Sequence, residues 1–151
     1  MQTLTRREAI VLGAAATLYL SVSDIAPVLA TPAESDAEIA KFTGGKAMDK
    51  GKIAIDLPEI AENGNTVPLS IVVDSPMTDA NYISDILVVA DGNPRPGIAT
   101  FHLTPASGKA TAATRIRLQT TENIIVVAKT SDGKFFTDRK QVKVTIGGCG
   151  G

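Results

Sequence analysis

Through most of the chain apolar and polar residues alternate with a period of two, the spacing of half-buried β-strands. Residues 52–57 alternate in this way, and Pro58 is placed to end the run. Residues 66–74 put Val67, Leu69, Ile71 and Val73 on one face, with Pro68 marking an edge or a bulge. Residues 84–90 are almost continuously apolar through Ile86, Leu87, Val88 and Val89, the pattern of a strand buried on both faces. Residues 98–103 set Phe101 and Leu103 against His102, and residues 113–119 set Ile116 and Leu118 against Arg115 and Arg117. A further strand covers 122–129, centred on Ile124, Ile125, Val126 and Val127. Ser131-Asp132-Gly133 predicts a hairpin turn into residues 134–137, and residues 141–146 form the last strand. Turn chemistry is dense at 62–65 and again at 91–97, where Arg95 lies between two prolines. Ahead of the strands, residues 33–42 predict one short helix: Pro32 suits its first turn, acidic residues crowd its start, and Gly44-Gly45 stops it.

Seven or eight short strands with one helix predict an all-β domain, an immunoglobulin-like β-sandwich, with an eight-stranded barrel as the competing closure. A chain of 151 residues holds one such domain. Hydrophobic residues make up 44% of it, enough for a core, but aromatics are only 4%, so that core is aliphatic. Fifteen basic against sixteen acidic residues leave a net charge of −1, which argues against a nucleic-acid partner. One cysteine, Cys149, excludes an internal disulfide, and one histidine, His102, excludes a His-paired metal centre. His102 on a strand reads as a surface residue, and Arg95 as a solvated turn residue. The apolar runs at 86–89 and 124–127 read as core.

Residues 1–30 read as an export signal. Arg6 and Arg7 precede a mild, Ala-rich apolar run over residues 9–20. Twelve residues span about 18 Å as a helix, short of the roughly 20 residues that a membrane span needs. Val28-Leu29-Ala30 then offers a cleavage site. Paired arginines with a weak apolar stretch favour the twin-arginine route over the general secretory one, and predict periplasmic delivery of a folded protein without a membrane anchor. The mature domain is then 31–146.

The remaining residues, 147–151, are Gly147-Gly148-Cys149-Gly150-Gly151. Four glycines around one thiol predict a flexible arm, about 17 Å long when extended and slim enough to enter a narrow cleft. A mobile segment is a poor place for an active site and a good one for a tethered cargo. The thiol can form a disulfide, a thioester or an adduct with oxidised sulfur. Only a few per cent of an ordinary thiol is ionised near neutral pH, so activation falls to the enzyme that receives the arm. On this reading the glycines lie past the last strand, and valine at Gly148 and Gly150 shifts stability by less than about 0.5 kcal/mol. Two other functions compete: a binding or adhesion module whose cysteine forms an intermolecular disulfide, and a ubiquitin-like carrier activated by adenylation. Export disfavours the second, because ATP-dependent activation belongs in the cytoplasm.

The twin-arginine leader, the small β domain and the terminal Gly-Gly-Cys-Gly-Gly together resemble the SoxY family, the sulfur carriers of the periplasmic thiosulfate-oxidising (Sox) system. The resemblance is most specific over the last five residues, with residues 142–146 in support. It implies a non-enzymatic carrier that holds sulfur intermediates covalently on Cys149, with no other cofactor and no metal. It also implies a heterodimer with a SoxZ-like subunit exported alongside. Three enzymes are implied to act on the arm: a haem enzyme that loads thiosulfate, a hydrolase that releases sulfate, and a sulfane dehydrogenase that oxidises the remaining sulfur.

Overall fold

The computed structural model describes residues 32–148, so Arg6, Arg7, Cys149, Gly150 and Gly151 lie outside the described residues. Helix α1 (Pro32–Thr43) comes first, with Glu34 in its first turn and Lys41 in its last, each charge matched to the helix end it occupies. Gly44 and Gly45 follow with φ of 64° and 74°, and the Gly45 N–H donates to the Ala40 carbonyl to cap the helix.

Nine strands follow among the described residues: β1 (Asp49–Lys50), β2 (Ile53–Asp56), β3 (Ile60–Asn63), β4 (Val67–Val73), β5 (Ile83–Ala90), β6 (Gly97–His102), β7 (Ala110–Ile116), β8 (Glu122–Thr130) and β9 (Phe135–Ile146). They make two sheets. The larger runs β1-β9-β8-β5-β6, with β3 also paired to β9, and the smaller runs β2-β4-β7. Two separate sheets bear out the sandwich and overturn the barrel. Between them lies an aliphatic core in which Ile71, Ile86, Val88, Ile124, Val126, Leu118 and Val142 are buried.

The continuous apolar run at 84–90 has its explanation in a third layer. Ile86 and Val88 face the smaller sheet, whereas Leu87 and Val89 face outward and meet Ile39 of the helix, together with Val127 and Phe135. The helix therefore covers one outer face of the larger sheet, and β5 is buried on both sides. Phe42 packs edge-on against Phe135, with ring centroids 5.9 Å apart.

Pro68 sits in the middle strand of the smaller sheet instead of at an edge. It is tolerated because β2 ends at Asp56, opposite Ser70, so at Pro68 strand β4 has a neighbour only on the β7 side. Two expected strands, 134–137 and 141–146, are one twelve-residue strand, β9, because Asp138, Arg139 and Lys140 continue the ladder opposite Val126, Ile125 and Ile124. The turn signal at 62–65 begins inside strand β3 (Ile60–Asn63), which pairs in parallel with the end of β9.

Candidate functional site at the root of the C-terminal arm

Strand β9 ends at Ile146, but the chain does not leave the sandwich there. The Gly64 N–H donates to the Ile146 carbonyl at 2.8 Å, the Leu118 N–H to the Gly64 carbonyl at 2.8 Å, and the Gly148 N–H to the Leu118 carbonyl at 2.9 Å. Three distant segments are thus joined by backbone bonds alone, and Gly148 is buried. A flexible arm beginning at Gly147 is therefore corrected: Gly147 and Gly148 are docked.

Space explains the glycines at this junction. A Cβ on Gly147 would lie 2.1 Å from the Gln119 carbonyl oxygen, and one on Gly64 would lie 2.1 Å from the Leu118 carbonyl oxygen and 2.7 Å from the Gly148 nitrogen. At Gly148 a Cβ would meet the Gly64 carbonyl at 3.0 Å and the Asn65 nitrogen at 3.1 Å. None of the three has the left-handed φ seen at Gly44. Valine at Gly148 would stand where backbone lies 3.0–3.1 Å from its Cβ and has to give way, so the premise of the neutrality expectation, a tail free of the sandwich, does not hold there.

The loop that supplies the Leu118 carbonyl is held from below by the 91–93 turn. Asn93 is buried; its Nδ2 donates to the Arg117 carbonyl at 2.8 Å and its Oδ1 accepts the Gln119 N–H at 3.0 Å. Asp91 accepts the Asn123 N–H and Nδ2, both at 2.8 Å. Glu122, 3% exposed, accepts the Gly92 N–H on Oε2 at 2.9 Å. Among the described residues its Oε1 and the Gln119 Oε1 are buried without a hydrogen-bond partner. Burial raises the Glu122 pKa above the ordinary carboxylate range, and the charge of Asp91 adds to this. Backbone N–H groups of Gly92, Thr120 and Gln119 oppose the rise without cancelling it.

This arrangement fixes a pH dependence. A carboxyl whose folded pKa exceeds its unfolded value contributes stability that is complete below about pH 4.3 and is lost as pH rises through the folded pKa. Glu122→Gln removes that loss. The variant's urea midpoint is expected to gain on the parent's between pH 4.5 and 7, and a difference constant across that window would sink the assignment. Asp85 and Asp132 act in the opposite sense and at lower pH. For Asp85, burial pushes upward, but bonds from Ser84 and His102 and the charges of Lys129 and His102 outweigh it, leaving the pKa lowered. Asp132 is lowered to about 2, first by the Thr130 hydroxyl and then by Lys134. Both stabilise above the ordinary carboxylate pKa and cease to do so in acid.

His102 is exposed on β6, and its Nδ1 lies 2.6 Å from Oδ1 of Asp85, its cross-strand neighbour. Ser84 donates to the other oxygen of Asp85 at 2.7 Å, so the hydroxyl is bonded to the carboxylate and not to the imidazole. No nucleophile–base pair results, in keeping with the surface reading of His102. Arg95 is exposed, as expected. Among the described residues no cluster of three or more His, Cys, Asp or Glu side chains could hold a metal. Among them, too, no helix is long and apolar enough to cross a membrane.

Sequence reasoning missed Gly64, Leu118, Gln119, Asn93 and Glu122 as parts of this site. The turn chemistry at 62–65 and 91–97 marked two of the three loops, but nothing in it pairs them.

Residues 39–149 match the family model described as sulfur oxidation protein SoxY. The structure of the sulfur carrier protein SoxY from Chlorobium limicola f thiosulfatophilum superposes with a TM-score of 0.65 at 32% identity, covering 77% of this chain and 100% of that one. A superoxide reductase (neelaredoxin) from Ignicoccus hospitalis superposes with a TM-score of 0.56 at 15% identity, over 81% of this chain and 99% of that one. A putative superoxide reductase from Thermotoga maritima gives 0.53 at 18% identity, over 68% and 89% respectively. These last two share the fold alone. No curated protein sequence matches the chain.

Proposed function

Since the chain belongs to the SoxY family of sulfur oxidation proteins, we propose that it is a covalent sulfur carrier and not itself an enzyme, with Cys149 as the attachment point. The observation that carries the reading is the family match, which runs to residue 149 and includes the residue that bears the thiol. The geometry supports it: the Gly148 N–H is bonded to the Leu118 carbonyl, so the described chain stays on the sandwich up to the residue before the thiol.

On this reading the thiol and thiosulfate join as a Cys–S–S–SO₃⁻ adduct, releasing one proton and two electrons to a haem enzyme. Water then cleaves the terminal S–S(O₃) bond under a hydrolase, leaving a persulfide and hydrogen sulfate. A sulfane dehydrogenase then withdraws six electrons from the outer sulfur while three waters supply its oxygens, leaving Cys–S–SO₃⁻ and seven protons. A SoxZ-like subunit forms a heterodimer with this chain. The complex works in the periplasm, exported by the twin-arginine route on Arg6 and Arg7, and residues 1–30 are removed on arrival.

Intact mass spectrometry of the periplasmic fraction from thiosulfate-grown cells tests location and cargo together. The expected result is a monomeric chain lacking residues 1–30 and carrying sulfur adducts that a reductant removes. A chain present only as a disulfide-linked species, with no adduct, would indicate a binding module instead.

A further inference from the structure

We propose that the free edge of β7 is a strand-addition site for an extended, acidic segment of a partner protein. Among the described residues the sheets end in short or interrupted strands, with one exception. β1 has two residues, β2 and β3 have four each, and the ladder joining β6 to β5 shifts register between Val88 and Val89. β7 keeps seven consecutive pairs with β4 and has no second neighbour in its sheet. Long, regular edges are the ones that accept another strand, and folds ordinarily shorten, bulge or cover them.

The phase of the ladder decides which groups are on offer. The N–H of Asp74, one residue past β4, donates to the Lys52 carbonyl on the β2 side at 2.7 Å. Backbone groups alternate sides along a strand. Val67, Leu69, Ile71 and Val73 therefore bond toward β7, where the register sets them opposite Ile116, Thr114, Ala112 and Ala110. It follows that Thr111, Ala113 and Arg115 turn their N–H and C=O groups away from the sheet, and all three residues are exposed. A strand laid along them gains a ladder without disturbing the one already made.

Charge selects the occupant. From Lys109 to Leu118 burial alternates, with Lys109, Thr111, Ala113, Arg115 and Arg117 on the exposed side. Lys109, Arg115 and Arg117 are cationic, and among the described residues none of them is in an ion pair. Asp74, next to Lys109 across the ladder, does not reach it, and the Arg115 guanidinium meets only the Thr66 hydroxyl, at 3.5 Å. A second copy pairing antiparallel through Ala113 would set Lys109 opposite Arg117 at both ends, and like charges there repel. An extended segment with carboxylates at alternate positions, about 6.8 Å apart, matches the row instead. Its intervening residues, small and apolar, continue the buried row of Ala110, Ala112 and Ile116. The site goes beyond the carrier reading and does not rest on it.

Titration of the full chain, kept reduced, with a short synthetic peptide alternating glutamate and valine tests the site. Anisotropy of a dye on the peptide reads affinity, and amide hydrogen exchange reads the ladder. The expected result is slowed exchange at Thr111, Ala113 and Arg115 on binding, with an affinity that falls as salt is added. Arg115→Glu reverses one charge of the row, and Ala113→Pro removes an outward N–H at an edge where proline is tolerated. Each is expected to weaken binding by about fivefold or more. Arg115→Glu keeps the test usable if Ala113→Pro does not fold. No binding at millimolar peptide, equal binding of a peptide with lysine in place of glutamate, or a bound peptide that leaves the three amides unprotected would each overturn the proposal. So would peptide-free dimers in which those amides are already protected, since they would give the edge to a second copy.

Discussion

Cys149→Ser is expected to abolish sulfur loading completely while stability stays within about 0.5 kcal/mol of the parent. The chain has one thiol, and a serine hydroxyl cannot form the sulfur–sulfur bond on which the cargo would travel. Among the described residues the core clusters are assembled from residues up to Val144, and the exchange alters a single side-chain atom. Adduct masses on the purified chain and urea unfolding read the two halves independently. Adducts persisting on the serine variant would end the carrier reading, whatever its stability.

Leu118→Ala is expected to act the other way round. Leu118 is fully buried in the core between the sheets, and truncation there costs about 2–5 kcal/mol in lost transfer free energy and cavity. Against a typical total of about 5–15 kcal/mol, the urea midpoint falls sharply. The Leu118 N–H and carbonyl that bond Gly64 and Gly148 are retained in alanine, so below the unfolding transition the Gly148 amide is expected to exchange at the same rate in variant and parent. Faster exchange at Gly148 in the folded variant would mean that the side chain, and not the backbone, holds the arm root.

Strand β5 was legible because burial on both faces leaves a continuous apolar run, and the helix that covers it announces itself by Pro32 and the Gly44-Gly45 stop. Strand β3 was not. Of its residues only Ala61 is buried while the adjacent Ile60 is exposed, so the apolar pair carries no alternation. The continuity of β9 was hidden by Asp138, Arg139 and Lys140, three charged residues that pair by backbone; Lys140 also donates to the Leu57 carbonyl. The arm root was misread for a deeper reason. Its contacts are made by N–H and C=O groups that every residue possesses, so no side-chain pattern records them. Glycine has two meanings in a sequence, freedom of conformation and nearness of another chain. The tail pattern predicted the first, whereas at Gly147 and Gly148 the structure shows the second.

The position of β9 in its sheet has a mechanical consequence. This strand pairs with β8 over residues 135–142, with β1 over residues 136–137 and with β3 over residues 143–146, so the tail issues where β3 is its one neighbouring strand and the β8 ladder lies just behind. Under the proposed carrier role, an enzyme that gripped the tail would pull β9 along its axis. The hydrogen bonds of these ladders lie across that axis, and they are loaded in shear together instead of peeling one at a time. The tail can therefore be tugged, released and tugged again while the sheets stay whole.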